Sequence, residues 1–463
     1  MLLSNHAGYS IANKRLDIVV LLTSGFLLYV VGSVIYYGKL TAVYQLSYLG
    51  GPIILLACAL RGGFRSTILT WPMRALVIWM LWLVVGSIGS GIPVEQMLLG
   101  LRIYAPVFFV ALGISLWPNP IPLIQRLEKA AVWVPIVQMP FVLQQFFVVR
   151  AGRSAISWDS VVGTFGGDPL AGGDSPGLAL AVTVATVIAL YLRRHGRISR
   201  SLFWASIASS FLILIMSEVK LFLILLPVVL FLSVSHFIWR RPSVIVSFLV
   251  FTPIFVIILL SIYQNLYWGT TSSSSIEDSV SASFSYFFDE DGANYETGQV
   301  SRGASFALWS NDFASGADRK FAGYGMASTR FSSAVAVGEI GGRYYPLDVG
   351  ATAVAQLLWD GGIVAAGLYI LALLLGIARA RRILLQLRDP LQRDRIAALR
   401  AILFSIVVML FYNKSFVDLA FEQLLLGMTL GIVSSRHVWR KSESRLGLEV
   451  AEEINYALVS KAS

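Results

Sequence analysis

Charge is what this sequence has least of. Only 13% of its 463 residues are Asp, Glu, Lys or Arg, against roughly 25% in a soluble domain, and 56% are hydrophobic. That balance is the one of a polytopic membrane protein. Cysteine is almost missing too. Cys58 stands alone inside an apolar run, which excludes an intramolecular disulfide and any Cys-based zinc site and reads as a small core hydrophobe. Histidine occurs only as His6, His195, His236 and His437. There is no GxxxxGK[ST], no GxGxxG between a strand and a helix, and no HExxH. Nucleotide-dependent chemistry has no recognisable site, and neither a cofactor nor a metal is expected. No cleavable signal is expected either, because the first apolar run, Asp17 to about Tyr37, is long enough to span and no small-residue cleavage motif follows it.

What is present is a surplus of base, with a formal net charge of +10. It sits in short clusters between apolar runs, which is the pattern of positive-inside topology and not of a groove for nucleic acid. Apolar runs near 17–37, 42–60, 70–90, 103–117, 130–149, 178–192, 201–217, 220–239, 243–265, 351–377, 398–412 and 419–435 approach the roughly 20 residues that cross hydrocarbon. The expected fold class is an all-α polytopic membrane protein of about 12 transmembrane helices with one large irregular or helical outer (periplasmic) loop. Its expected parts are nine helices with short loops in 1–265, the outer loop in 266–350, three further helices in 351–435 and a cytoplasmic tail in 436–463. The clusters "NKR" (13–15), "RGGFR" (61–65), "RRHGRISR" (193–200), "WRR" (239–241), "RARRILLQLRDPLQRDR" (379–395) and "RHVWRK" (436–441) all fall on one side of this scheme. That side is read as cytoplasmic, with both termini inside. Segment 379–400, alternating Arg with Leu and Ile, reads as an interfacial amphipathic helix.

The stretch "LILIMSEVKLFLILL" (212–226) places Glu218 and Lys220 in a lipid-like run, where a charge at mid-helix costs about 2.5–3.5 kcal/mol. Basic clusters flank 201–239 at both ends, and one helix of that length would measure about 57 Å against a core of roughly 30 Å. The run is therefore expected to be a hairpin with "SEVK" at its tip on the outer face. The same face carries Arg102, Arg150, Arg153, Arg302, Arg319, Lys320, Arg330 and Arg343. Arg102 and Lys220, in short outer loops where the positive-inside rule disfavours base, stand out. Cations at headgroup height suit an anion such as phosphate, which Arg grips with a fork and Lys as a point charge. The large loop opens with the Ser-rich, acidic "SSSSIEDS" (272–279) and then gains aromatic and basic residues.

Five segments, in order and on the expected side, resemble motifs of the O-antigen ligase and polysaccharide polymerase superfamily of integral membrane glycosyltransferases. "GTFGG" (163–167) is similar to its Gly-Thr-Phe-Gly motif, and "MSEVK" (216–220) occupies the place of its Thr-Gly-Ser-Arg turn. "SRGASFALW" (301–309) and "KFAGYGMAS" (320–328) resemble distal parts of its large loop. "AQLLWDGGIVAAGLYI" (355–370) resembles the segment that re-enters the membrane. The resemblance covers about 150–375. It implies a bacterial cytoplasmic membrane protein, active on the outer face, that transfers glycan from an undecaprenyl-diphosphate-linked oligosaccharide without metal or nucleotide. Its surroundings would be membrane lipids, and its partners a chain-length regulator and a flippase. Lys220 and Arg302 are implied as the catalytic pair holding the diphosphate; Arg102 is added only by position, and Arg330 and Arg343 as further cations of the same face, to bind substrate. The family's loop histidine is absent from "GGRYYPLDVGATAVAQLL" (341–358), which leaves Asp348 or Glu339 for the base, or a reaction that needs none. Lys220 stands where Arg is usual. A polymerase of exopolysaccharide, capsule or O-antigen is favoured, with a ligase and a transporter or flippase as alternatives.

Overall fold

The computed structural model describes residues 3–65, 68–149, 161–168, 172–217, 219–238, 242–263, 288–289, 291–312, 316–332, 336–436 and 438–439. Arg150, Arg153, Glu218, segment 272–279, His437 and residues 440–463 lie outside them. Each of the twelve apolar runs coincides with a helix. These are α1 (Lys14–Gly38), α2 (Gln45–Leu60), α3 (Trp71–Gly89), α4 (Val94–Ser115), α5 (Ile121–Val149) and α6 (Ser175–Arg194), then α7 (Arg200–Met216), α8 (Leu221–Ile238), α9 (Pro242–Tyr263), α10 (Ala353–Gln386), α11 (Pro390–Tyr412) and α12 (Ala420–Ser434). Among the described residues seven of them (α1, α3, α4, α5, α6, α10 and α11) are long and apolar enough to cross a membrane, and the described apolar stretches of the rest run for 10–17 residues. The chain is a helical protein of membrane type. Strand pairing among the described residues amounts to 167–168 with 172–173 and 331–332 with 336–337, both antiparallel, and one isolated bridge between Ala293 and Val300.

The helix ends follow local chemistry. Asp174, Ser199, Thr352 and Asp389 cap α6, α7, α10 and α11, each side chain accepting an orphan N–H of the first turn. Pro242 and Pro390 open α9 and α11, where a missing N–H costs nothing. The tightest packing uses small residues. Gly427 and Gly431 of α12, four apart, lie against Val107, Val110, Ala111 and Ile114 of α4. This close backbone approach is the one that drives helix association in lipid.

Ion pairs tie one end of the bundle together. Asp17 of α1 pairs with Arg61 and, at 3.0 Å, with Arg126 of α5. Glu128 of α5 holds Arg395 of α11, and Asp394 holds Arg194 at 3.2 Å and His195 at 2.8 Å. Residues of the basic clusters 61–65, 193–200 and 379–395 gather here. Segment 379–400 is not the expected interfacial helix. It is the last turns of α10, a break at 387–389 and the first turns of α11. Its Arg395 is buried because a carboxylate on α5 neutralises it.

The opposite end holds the remaining turns. Arg400 of α11 donates to the Leu232 carbonyl at 3.0 Å and to Ser235 Oγ at 2.7 Å on α8. Twelve residues from Leu232 back to Lys220, and twelve from Arg400 on to Tyr412, climb about 18 Å each. The 217–220 turn thus reaches the level of Tyr412. The two arms of this hairpin lean on different neighbours, α7 on α5 and α6, and α8 on α11. The distal part of the 266–350 loop folds onto this end through helices Arg302–Ser310, Ala317–Ala322 and Glu339–Arg343. Its small core of Val300, Ala304, Tyr324, Ile340, Leu347 and Val349 closes on Trp359 of α10.

Candidate functional site

At this end the chain sends two irregular segments between the helices, where backbone groups find no water and need protein partners. The first is 161–166. Gln138 and Gln145, seven residues apart and so on one face of α5, reach it. Gln138 accepts from Thr164 N at 2.8 Å and donates to Thr164 Oγ1 at 2.6 Å. Gln145 accepts from Val162 N at 2.9 Å and Gly163 N at 2.7 Å, and donates to the Gly163 carbonyl at 2.8 Å. Thr164 Oγ1 donates to the Leu28 carbonyl at 2.7 Å, which lies in a π-helical stretch of α1, Phe26–Val31. Changed hydrogen-bond register there leaves a carbonyl for another donor.

The second segment, 323–330, docks on a break in α10. Gly362 (φ 69°, ψ −171°) interrupts that helix and removes the carbonyls before it from the ladder. The Trp359 and Asp360 carbonyls accept instead from Tyr324 N and Gly325 N, each at 2.9 Å, and that of Gly361 from Trp82 Nε1 at 3.0 Å. Only glycine fits at this contact: a Cβ on Gly362 would lie 2.1 Å from the Phe321 carbonyl oxygen, and one on Gly323 2.5 Å from Gly361 N. The buried Asp360 side chain closes the joint. It accepts from Tyr104 Oη at 2.6 Å, Ser328 Oγ at 2.7 Å, Ala327 N at 2.9 Å and Thr329 N at 3.3 Å.

Around these segments lies a charged turn, 412–418, that the sequence reading passed over. Arg302 donates from Nε to the Tyr412 carbonyl at 2.8 Å and stacks 4.5 Å from the Tyr412 ring centre. Lys414 pairs with Asp348, and Asp418 with Arg330. Arg330 also donates to Gln356 Oε1 at 3.2 Å, and Gln356 to Tyr104 Oη at 3.4 Å, which joins this cluster to Asp360. Ser415 Oγ donates to Asp174 at 2.7 Å. Asp174 Oδ2 and Glu422 Oε1, both buried, converge on Gly177, where a Cβ would meet them at 2.1 and 1.9 Å, and the two carboxyls hydrogen-bond each other. Partial burial works against the charge on Asp348, but the Lys414 ammonium and the Arg330 guanidinium outweigh it and hold the carboxyl below the usual carboxylate range.

No protein-family model matches the chain, and no curated protein matches it by sequence.

The structure brings Arg302, Arg330 and Asp348 together around the 412–418 turn and puts Arg343 and Glu339 in the adjoining loop, while Lys220 lies toward the same end on the 217–220 turn. Arg343 belongs to the loop's own fold, donating to Asp312 at 2.9 Å, Glu339 at 2.5 Å and Tyr324 Oη at 3.3 Å. Glu339 is therefore the i, i+4 partner of a structural arginine. Arg102 is a correction. It does not sit in a short outer loop, because α4 begins at Val94 and carries it eight residues, or about 12 Å, down the helix. It faces Gln45 and Tyr48, while Tyr104, about 200° further round α4, faces the cluster. Lys414 was legible: a lysine in the short polar break between 398–412 and 419–435 violates the positive-inside rule as Lys220 does. Asp360 carried a signal as the Asp-x-Gly of the 355–370 segment that the family resemblance picks out, whereas Tyr104 had none comparable.

Proposed function

We propose that the chain crosses a bacterial cytoplasmic membrane twelve times, with both termini inside, and polymerises lipid-linked oligosaccharide repeat units at the outer end. What supports the reading is the gathering of Arg302, Arg330 and Lys414 around the 412–418 turn, at the bundle end to which Lys220 also belongs. In the reaction an acceptor hydroxyl attacks the anomeric carbon of an undecaprenyl-diphosphate-linked glycan. The anomeric carbon–oxygen bond breaks with its electron pair leaving on the diphosphate, and the hydroxyl proton passes to a base. The cations offset charge growing on the leaving group, which is electrostatic catalysis without metal. Asp348 touches the cluster, but a carboxyl held ionised so firmly is a weak base. Its assigned part is to counterbalance Lys414 and Arg330 until the diphosphate arrives.

The test is transfer by purified protein in proteoliposomes supplied with lipid-diphosphate-linked repeat units. Lys220→Ala and Arg302→Ala should each lower the rate about 100- to 1000-fold, as loss of a transition-state donor does. Lys220→Arg should retain activity, and Arg302→Lys should be clearly weaker because a planar fork becomes a point charge. Normal rates in both alanine variants would remove the cluster from the chemistry. Product on a different acceptor lipid, with the same sensitivity, would make the protein a ligase. The broken helix at Gly362 favours one further reading, a transporter, since discontinuous helices are common in transporters. Movement of labelled lipid across the vesicle without new glycosidic bonds would select it.

Sidedness has its own test. Cysteines at the exposed positions Thr297 and Ser199 should react with an impermeant thiol reagent from opposite faces of the membrane, Thr297→Cys from outside. Cys58 is buried and should stay silent. Labelling of both positions from one face would overturn the topology.

A further inference from the structure

At the end where the ion pairs gather, α3, α4 and α12 meet around a small cavity whose lining includes Thr70, Met73, Ser115, Ser434 and Arg436. Thr70 holds the N-cap position of α3, where a threonine ordinarily takes an N–H of the first turn. Its hydroxyl makes no such bond. The residue is 4% exposed, and Oγ1 has no partner among the described residues. Ser434, in the last turn of α12 and 2% exposed, is left the same way. A helical serine commonly returns its hydroxyl to a carbonyl one turn back, as Ser115 does to that of Leu112 at 2.9 Å. Two buried hydroxyls without a partner therefore line one cavity, and leaving such groups unmade is unfavourable.

Charge around the cavity has one sign. Arg436 lines it and is exposed. Arg74 donates from Nε to the carbonyl of Leu69, another lining residue, at 3.1 Å. The three helices bring no carboxylate to this end: α3 has none, and α4 and α12 carry only Glu95 and Glu422, in their first turns at the far end. The last carbonyls of α4 and α12 are spent within the protein. That of Ile114 accepts from Trp117 N at 3.2 Å, that of Ile432 from Trp439 Nε1 at 3.3 Å, and that of Val433 from Arg379 Nε at 3.0 Å. The start of α3, with its partial positive charge, is left to face the cavity. At about 10 Å³ the space admits roughly one water, or one oxygen of a larger group.

We propose that this cavity is a binding site for a phosphate group, with one oxygen seated at Thr70 and Ser434 and the others held outside by Arg436. Hydroxyls, a helix N-terminus and an arginine are donors that a phosphate takes. The group is that of a lipid headgroup or of free phosphate, since the chemistry is shared. The site lies at the bundle end opposite the Arg302–Arg330 cluster, so the inference stands apart from the glycan-transfer reading.

Thermal unfolding of the full chain in mild detergent, titrated at constant ionic strength with inorganic phosphate or phosphatidylglycerol, tests this. Either probe should raise the melting temperature in a saturable way that chloride does not reproduce. A rise with inorganic phosphate shows that the free anion suffices, and a rise with phosphatidylglycerol alone identifies a headgroup. Thr70→Val, which keeps the shape and removes the hydroxyl, should weaken the apparent affinity about tenfold or more, the scale of a hydrogen bond to a charged group. Ser434→Ala should do the same. Arg436→Gln should weaken binding as well and flatten its dependence on salt. Each shift is read against the variant's own melting temperature without ligand, so that lost stability is not mistaken for lost binding. Saturable binding that Thr70→Val and Ser434→Ala leave intact would place the ligand elsewhere, and no shift with either probe would mean that the cavity holds water only. Each of these results overturns the site.

Discussion

Asp360→Ala should detach segment 323–330 from the bundle and abolish any activity that depends on that end. Four donors converge on this one carboxylate, and two of them are backbone N–H groups that have nowhere else to turn. Leaving a buried donor unsatisfied costs about 1–3 kcal/mol, so the loss should reach about 4 kcal/mol or more if none is rescued by water. Asp360→Asn keeps the volume but turns an NH2 toward two of the donors, and should lose roughly half as much. Tyr104→Phe takes one donor from the carboxylate and leaves the weakly bonded Gln356 Nε2 without its acceptor, and should cost about 1 kcal/mol. Thermal unfolding in detergent measures the order, and amide exchange at residues 324–329 reports the release directly. A melting temperature and exchange pattern unchanged in Asp360→Ala would show that the broken α10 holds the segment without the carboxylate.

Breaking the Glu128–Arg395 pair should be equally damaging at the other end. Arg395 is 1% exposed and meets both carboxylate oxygens, Nη2 at 2.8 Å from Oε2. Its second Nη donates to Gln392 Oε1 at 2.7 Å. Removing one member strands a buried charge, at a cost of about 3–5 kcal/mol. Glu128→Leu and Arg395→Met should each therefore unfold the protein at markedly lower temperature. The double variant should recover most of the loss, because a buried pair returns little beyond its own desolvation and apolar groups of similar volume replace it well. If the double variant is as unstable as the sum of the singles, the coupling is zero and each residue stabilises the protein through other neighbours and not through the pair.

The division between what was legible and what was not follows the range of the forces involved. Hydropathy is local, since twenty apolar residues need no partner to declare themselves. The twelve helical runs, the end at which the basic clusters gather and the turn character of 217–220 could therefore be read directly from residue order. The same locality put Arg102 in the wrong place. A polar residue near the start of an apolar run looks like its edge, and only the helix begun at Val94 shows that it lies inside. Likewise 379–400 is amphipathic by composition, yet Arg395 is buried because Glu128, 267 residues earlier, is there to receive it.

The sequence by itself determined the helices, their number of apolar runs and the residue types available at each end. Tertiary structure alone decided which charges meet: Arg330 with Asp418 across 88 residues, Lys414 with Asp348 across 66, Asp360 with a segment some thirty residues before it. A polar group in an apolar environment is stable only where some other part of the chain satisfies it. Which part that is depends on how the helices pack, and no local pattern of residues carries that information.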